Sequence, residues 1–187
     1  MRILAISGSL REGSYNTSLV RAAVELAPDN VEIEIYDRLG LLPPYHQDVD
    51  QVGTEPPEPV RDLRSRVATA DALFIATPEY NGSIPGVLKN AIDWASARHR
   101  GSALRNKTVA IAGATTGAYG AIWAQQDLRR ILGIAGARVI NGEVPLAHAQ
   151  NVFDENGRLT DELVIEHLRE HLEALVQEAS PIAAVAA

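Results

Sequence analysis

The apolar run Ile3-Leu4-Ala5-Ile6 feeds directly into Gly8-Ser9-Leu10-Arg11-Glu12-Gly13-Ser14-Tyr15-Asn16-Thr17, and a helical pattern of Leu19, Val20, Ala23, Val24 and Leu26 leaves it. A buried strand that turns through a loop of this kind into a helix aims the free N–H groups of that helix, and the positive end of its dipole, at the loop. An anion is favoured there. The hydroxyls of Ser9, Ser14 and Thr17 and the amide of Asn16 add donors, and Arg11 adds a charged fork suited to phosphate. The loop therefore reads as a phosphate cradle. Gly8 and Gly13 have the glycine spacing of a P-loop, but Ser14 stands where that motif needs Lys. Ser9-Leu10-Arg11 likewise replaces the tight glycine turn of the dinucleotide fingerprint. A hydroxyl-lined loop suits a terminal phosphate monoester instead. The plainer alternative is a polar turn in which Asn16 or Thr17 caps the helix.

Strand and helix patterns alternate along the chain. Strands are expected at about Arg2–Ser7, Val31–Tyr36, Ala72–Thr77, Thr108–Ala114 and Arg138–Ile140. Helices are expected at about Asn16–Ala27, Glu58–Ala70, Pro85–Ala95, Ala121–Leu132 and Asp161–Ala179, the last capped by Thr160. The run Ala72-Leu73-Phe74-Ile75-Ala76-Thr77 is apolar throughout, as a central parallel strand is. Such alternation implies a doubly wound α/β fold, with five parallel strands in the order 2-1-3-4-5. Ligands then gather at the C-terminal strand ends near the switch point between strands one and three. That rule selects the loops 8–17, 78–84 and 115–120. Residues 1–180 are expected to form a single domain and 181–187 a weakly ordered tail. The proline-rich segment 39–59 is long enough to serve function or an interface.

A net charge of −7 over 187 residues gives no general pull towards nucleic acid or an anionic membrane. The chain has no cysteine, which excludes thiol chemistry and iron–sulfur clusters. No apolar run is long enough to span a bilayer, and Met1-Arg2-Ile3 enters the first strand without a leader, so a cytoplasmic protein is expected. His167 and His171 have i, i+4 spacing without the Glu of a zincin motif. Both are expected on the wet face of the last helix, and no metal site is expected.

The second loop is Thr77-Pro78-Glu79-Tyr80-Asn81-Gly82-Ser83-Ile84-Pro85. Prolines restrain its ends, and Gly82 is expected to allow close backbone approach to a flat ligand. Gly8-Ser9-Leu10-Arg11-x-x-Ser14-x-Asn16, together with Pro78-Glu79-Tyr80-Asn81-Gly82-Ser83 and Leu88-Lys89-Asn90-Ala91-Ile92-Asp93-Trp94, resembles the NAD(P)H-dependent FMN reductases. These are flavodoxin-like proteins that include quinone, chromate and azo-dye reductases. The resemblance extends through Gln125-Gln126-Asp127-Leu128-Arg129-Arg130 and covers nearly the whole chain.

The resemblance implies FMN as cofactor and NADPH or NADH as co-substrate. By family pattern Ser9, Arg11, Ser14, Asn16 and Thr17 hold the phosphate. Pro78, Glu79, Tyr80, Asn81 and Gly82 lie along the ring, and Thr115 and Gly117 belong to the loop that closes its other side. It further implies ping-pong two-electron transfer to a small-molecule acceptor by a homodimer or homotetramer, with the flavin and no side chain performing the chemistry. Two departures stand out: Gly120-Ala121 where the family often has paired glycines, and the bulky Tyr119 and Trp123. Competing classes are a flavodoxin-type electron carrier, an NAD-binding domain using Asp37 after strand two, and a phosphoacceptor receiver. The receiver needs an Asp at the end of strand three, where this chain has Thr77-Pro78.

Overall fold

Each strand of the central sheet alternates its side chains between two helical layers. Ile3 and Ala5 pack with Leu19, Phe74, Leu168 and Leu172 on one face, while Leu4 and Ile6 pack with Leu63, Leu73, Leu88 and Leu128 on the other. The computed structural model describes residues 1–97 and 101–180; the expected tail, 181–187, lies outside the described residues. Its elements are β1 (Arg2–Ser7), α1 (Tyr15–Glu25), β2 (Glu32–Tyr36), α2 (Glu58–Thr69), β3 (Ala72–Ala76) and α3 (Gly86–Ala95). β4 (Thr108–Ala114), α4 (Ile122–Ala135), β5 (Arg138–Val139), β6 (Val144–Leu146) and α5 (Glu162–Ala179) follow. All strand pairs are parallel and the order is β2-β1-β3-β4-β5, the flavodoxin-like order expected. Among the described residues no helix is long and apolar enough to cross a membrane, and no group of three or more His, Asp or Glu could hold a metal ion.

The fifth strand position departs from expectation. Two short pieces occupy it: β5 pairs with Thr108 and Val109, and β6 pairs with Ala112–Ala114. Arg129 on α4 accounts for the break. Its guanidinium donates to the carbonyls of Ile140 and Gly142 at 2.8 and 2.9 Å and pairs with Glu143, drawing the chain away from the ladder. The helix ends differ as well. Ser14, not Asn16 or Thr17, caps α1, its hydroxyl accepting from the Asn16 amide. Asp161, not Thr160, caps α5 by accepting from Leu163 and Val164, while Thr160 donates to the Val152 carbonyl.

The proline-rich segment folds back on its own chain. Trp94 Nε1 and Asn90 Nδ2 both donate to the Pro43 carbonyl, and Tyr45 packs edge-on to Trp94 at 4.9 Å. Arg64 makes a bidentate pair with the fully buried Asp50 at 2.7 and 2.8 Å.

His171 also corrects the sequence reading. His167 is exposed as expected, but His171 is buried and its Nε2–H donates to the Ile111 carbonyl of β4 at 3.0 Å. That bond fixes the neutral tautomer. Burial pushes its pKa down to about 4, helped by His167 and Arg129 and opposed by the Ile111 bond and Glu143. The folded protein therefore disfavours the imidazolium. The resulting stability is complete above the unfolded value of about 6.5 and is lost as pH falls towards 4, to a total on the order of 3 kcal/mol. Urea denaturation of the wild type and His171→Gln at pH 7.5 and 4.5 checks this. The wild type is expected to lose more stability than the variant over that interval.

Candidate active site

Three loops leave the C-terminal ends of β1, β3 and β4, and side-chain bonds to backbone lock them together. Asn16 is buried. Its Nδ2 donates to the Ala114 carbonyl and its Oδ1 accepts from the Ala114 amide, each at 2.9 Å, so the first loop is bound to the end of β4. Ser7 and Thr17 hydroxyls bond each other at 2.9 Å and close the base of that loop.

The second loop is a two-residue hairpin. Tyr80 and Ser83 exchange backbone hydrogen bonds of 2.9 and 3.1 Å, with Asn81 at φ 54° and Gly82 at φ 75° between them. Two positive φ values define a type I′ turn, for which Asn-Gly is the favoured pair. A Cβ on Gly82 would meet nothing within 4 Å. Glycine is needed there for its dihedral, whatever approaches the open side of the turn.

Glu79 is the residue whose role the sequence least revealed. α4 starts from Ala121 in the left-handed region, with no capping side chain of its own. The Glu79 carboxylate supplies the cap from 44 residues away: Oε2 accepts from the amides of Trp123 and Ala124 at 3.1 and 3.2 Å. A negative charge there also opposes the positive end of the dipole. Ser83 adds a second tie by donating to Asp127, which Arg130 also binds, and these two bonds hold the Asp127 carboxyl below the usual range. The third loop is anchored on the far side. Thr115 and Gly117 exchange backbone bonds with Leu146, His148 and Ala149, and Gly120 lies so close to Pro145 that a Cβ would fall 2.4 Å from its carbonyl carbon.

These ties enclose a cavity of about 150 Å³. Ser9, Arg11, Ser14, Asn16, Pro78, Glu79, Tyr80 and Thr115 line it, as their selection from the sequence expected them to come together. Thr17, Asn81, Gly82 and Gly117 do not line it. Thr17 is occupied with Ser7, and Asn81 and Gly82 build the turn that presents Tyr80. Tyr15, Ala114 and Thr116 line it without having been selected. Tyr15 stacks on Phe153 at 5.6 Å; its place inside the loop was the one available signal. Tyr80, Tyr119 and Trp123 are 53, 65 and 47 % exposed, and Tyr119 and Trp123 pack at 4.9 Å beside the α4 N-terminus.

The chemistry of the cavity fits a phosphate monoester joined to a flat group. The amides of Tyr15 and Thr17 open α1 and have no acceptor among the described residues. Ser9 and Ser14 hydroxyls and the exposed Arg11 guanidinium converge on the same space.

Comparison with known proteins agrees with this geometry. Residues 1–151 match the NADPH-dependent FMN reductase family. An NAD(P)H-dependent FMN reductase of Pseudomonas aeruginosa is 44% identical over 176 residues, covering 94% of this chain and 93% of the relative. A 2-hydroxy-1,4-benzoquinone reductase of a Burkholderia species is 39% identical over 163 residues, 87% of each. Among solved structures, a flavoenzyme NAD(P)H:(acceptor) oxidoreductase of Paracoccus denitrificans superposes with a TM-score of 0.82 at 32% identity, covering 95% of this chain and 96% of that one. The chain belongs to the NADPH-dependent FMN reductase family. It is an oxidoreductase whose cofactors are FMN and a reduced nicotinamide.

Removing the Glu79 cap should cost about 1 kcal/mol of stability. Glu79→Ala is expected to lose that amount and Glu79→Gln less, since an amide oxygen still accepts. Urea denaturation of both variants measures the difference. Equal stability of Glu79→Ala and wild type would dismiss the cap.

Proposed function

We propose that this protein is a quinone reductase working by ping-pong two-electron transfer, and the observation that carries the reading is the cavity where the free α1 amides, Arg11 and Tyr80 meet. FMN, when bound, would supply the two-electron redox chemistry between NAD(P)H and the acceptor. The residues supply everything else. The amides of Tyr15 and Thr17, the hydroxyls of Ser9 and Ser14, and Arg11 hold the phosphate. Asn16 spends its amide on Ala114 and so positions the loop rather than the phosphate. Pro78, Glu79, Tyr80 and Thr115 line the cavity and would flank the ring, with the Asn81-Gly82 turn presenting Tyr80 and the Gly117 carbonyl tied to the His148 amide. No side chain exchanges a proton in this scheme. The exposed ring of Tyr80 would border the side of the cavity that nicotinamide and quinone enter in turn. The names of the Burkholderia 2-hydroxy-1,4-benzoquinone reductase and the Paracoccus NAD(P)H:(acceptor) oxidoreductase support this reading.

Each half-reaction tests it separately. Stopped-flow mixing of FMN-loaded protein with NADPH should bleach the flavin, and benzoquinone should restore its colour. Tyr80→Ala should retain FMN and change the benzoquinone dependence of the second step. Failure of the wild type to be reduced by NADPH or NADH sinks the reductase and leaves an electron carrier.

The reading includes a cytoplasmic homodimer. A groove of about 520 Å³ runs between α3 and α4, and it carries Lys89 and Arg130, Asp93 and Asp127, and the 64 % exposed Ile134. A face bearing both signs of charge around an apolar centre can pair with its own copy across a two-fold axis. Light scattering should give twice 20.1 kDa for the wild type, and Ile134→Asp should shift it towards a single chain. A wild type at single-chain mass throughout the micromolar range rejects the dimer.

A further inference from the structure

We propose that Tyr119 and Trp123 form a stacking platform beside the cavity that makes fused-ring quinones better acceptors than single-ring ones. The platform rests on the quinone reductase reading above, whose acceptor class it narrows. The chain has five Tyr, two Trp and two Phe, and the three most exposed of them are Tyr80, Tyr119 and Trp123. An exposed aromatic ring buries its large apolar area only when something lies on it.

All three lie on or next to the loops of one cavity. Tyr80 lines it, and so does Thr116, three residues before Tyr119. The Trp123 amide donates to the carboxylate of Glu79, a further lining residue. The pair is thus tied to the cavity from two sides. The backbone beneath it is fixed. The Tyr119 carbonyl accepts from the Ile122 amide at 3.1 Å, the Gly120 carbonyl accepts from Gln125 Nε2 at 2.8 Å, and Gly120 abuts Pro145. The two rings lie 4.9 Å apart and tilted by 55°, so they brace each other and still stay exposed. A platform already ordered loses little entropy when a flat molecule stacks on it.

Charge decides the class of ligand. The stretch Thr108–Gln126 carries no charged side chain, and the neighbouring Glu79 carboxylate is spent on the α4 amides. A nucleotide would bring phosphate groups to a stretch that offers no cation, whereas a quinone is neutral. Quinone rings are flat and electron-poor, and the faces of indole and phenol are electron-rich, so stacking between them is favourable. A single-ring quinone has nothing beyond its reacting ring to offer the pair. A second, fused ring extends past the reacting one and supplies that surface.

Quinone titration of the oxidised, FMN-loaded protein without NADPH tests the platform, with tryptophan emission as the readout. Trp94 is fully buried and Trp123 is not, so the quenchable signal belongs to Trp123. Saturable quenching is expected, with 2-methyl-1,4-naphthoquinone bound about tenfold more tightly than 1,4-benzoquinone. Tyr119→Ala should raise the naphthoquinone constant about fivefold and leave that of benzoquinone within about twofold, while Tyr119→Phe, which keeps the ring, should bind as wild type does. Steady-state turnover with NADPH gives the second arm. Trp123→Ala should raise KM about tenfold for the naphthoquinone alone, with kcat unchanged, and Trp123→Phe should stay near wild type. Quenching that never saturates, or constants that shift equally for both quinones, overturns the platform, while continued benzoquinone reduction preserves the reductase. Weaker FMN binding, or a fall in mass by light scattering, in the alanine variants also overturns it and gives the rings to the flavin or to a subunit contact. A wild type that reduces neither quinone overturns both readings.

Discussion

The two hydrogen bonds between the Asn16 amide and the backbone of Ala114 span 98 residues of sequence, and the geometry of the site depends on them. The sheet order brings the ends of β1, β3 and β4 side by side, but adjacency of strands does not set the relative height of the loops that leave them. A buried amide with both ends satisfied does, because breaking either bond strands a polar group in the interior. Glu79 extends the same solution to the next pair of loops. It uses the free N–H groups of α4 as the fixed point and the second loop as the movable one. In each case a side chain at the base of one loop reads the backbone of another.

This division explains what was legible in the sequence. The alternation of apolar runs and helical patterns revealed β1, β2, β3, β4 and all five helices to within a few residues, because local period reports burial. It did not reveal β6. Val144-Pro145-Leu146 is too short to carry a period, and its separation from β5 is made by Arg129, a residue of α4 whose reach is tertiary. Caps followed the same rule. Ser14, Thr160 and Asp161 are all competent cap residues, so the choice among them turns on the exact entry angle of the chain. His171 was misjudged because α5 is rotated so that one of its polar positions faces β4, where the Ile111 carbonyl lies within hydrogen-bond reach.

At the site, residue type was more legible than role. Ser9, Arg11, Ser14, Pro78, Glu79, Tyr80 and Thr115 do line one cavity. Asn81 and Gly82 were selected to lie along a ligand, and their dihedrals also make them the turn that carries Tyr80. Thr17 was selected as a donor, and its hydroxyl bonds that of Ser7 at the base of the loop. The chain also accepts strain to keep this loop set. Ala121 holds a left-handed conformation that costs an alanine about 1–2 kcal/mol, and the Glu79 cap and the bond from Gln125 to the Gly120 carbonyl offset it.

A chain with a net charge of −7 has no long-range attraction for anionic cofactors, so the local field must do the work. The carboxylate that lines the cavity, Glu79, is already neutralised by the α4 N-terminus, and Asp127 on α4 is held by Ser83 and Arg130. The α1 N-terminus is treated differently. Tyr15, Asn16 and Thr17 place no acidic side chain in its first turn, so its dipole is not cancelled by the protein itself. Arg11 stands beside it, bonded only weakly to the Gly13 carbonyl at 3.4 Å. One helix end is thus capped by a charge and the other left open towards the cavity. The same backbone feature, an α-helix N-terminus, serves as a structural anchor at α4 and as an anion receptor at α1. The difference lies in whether a carboxylate from the chain already occupies it.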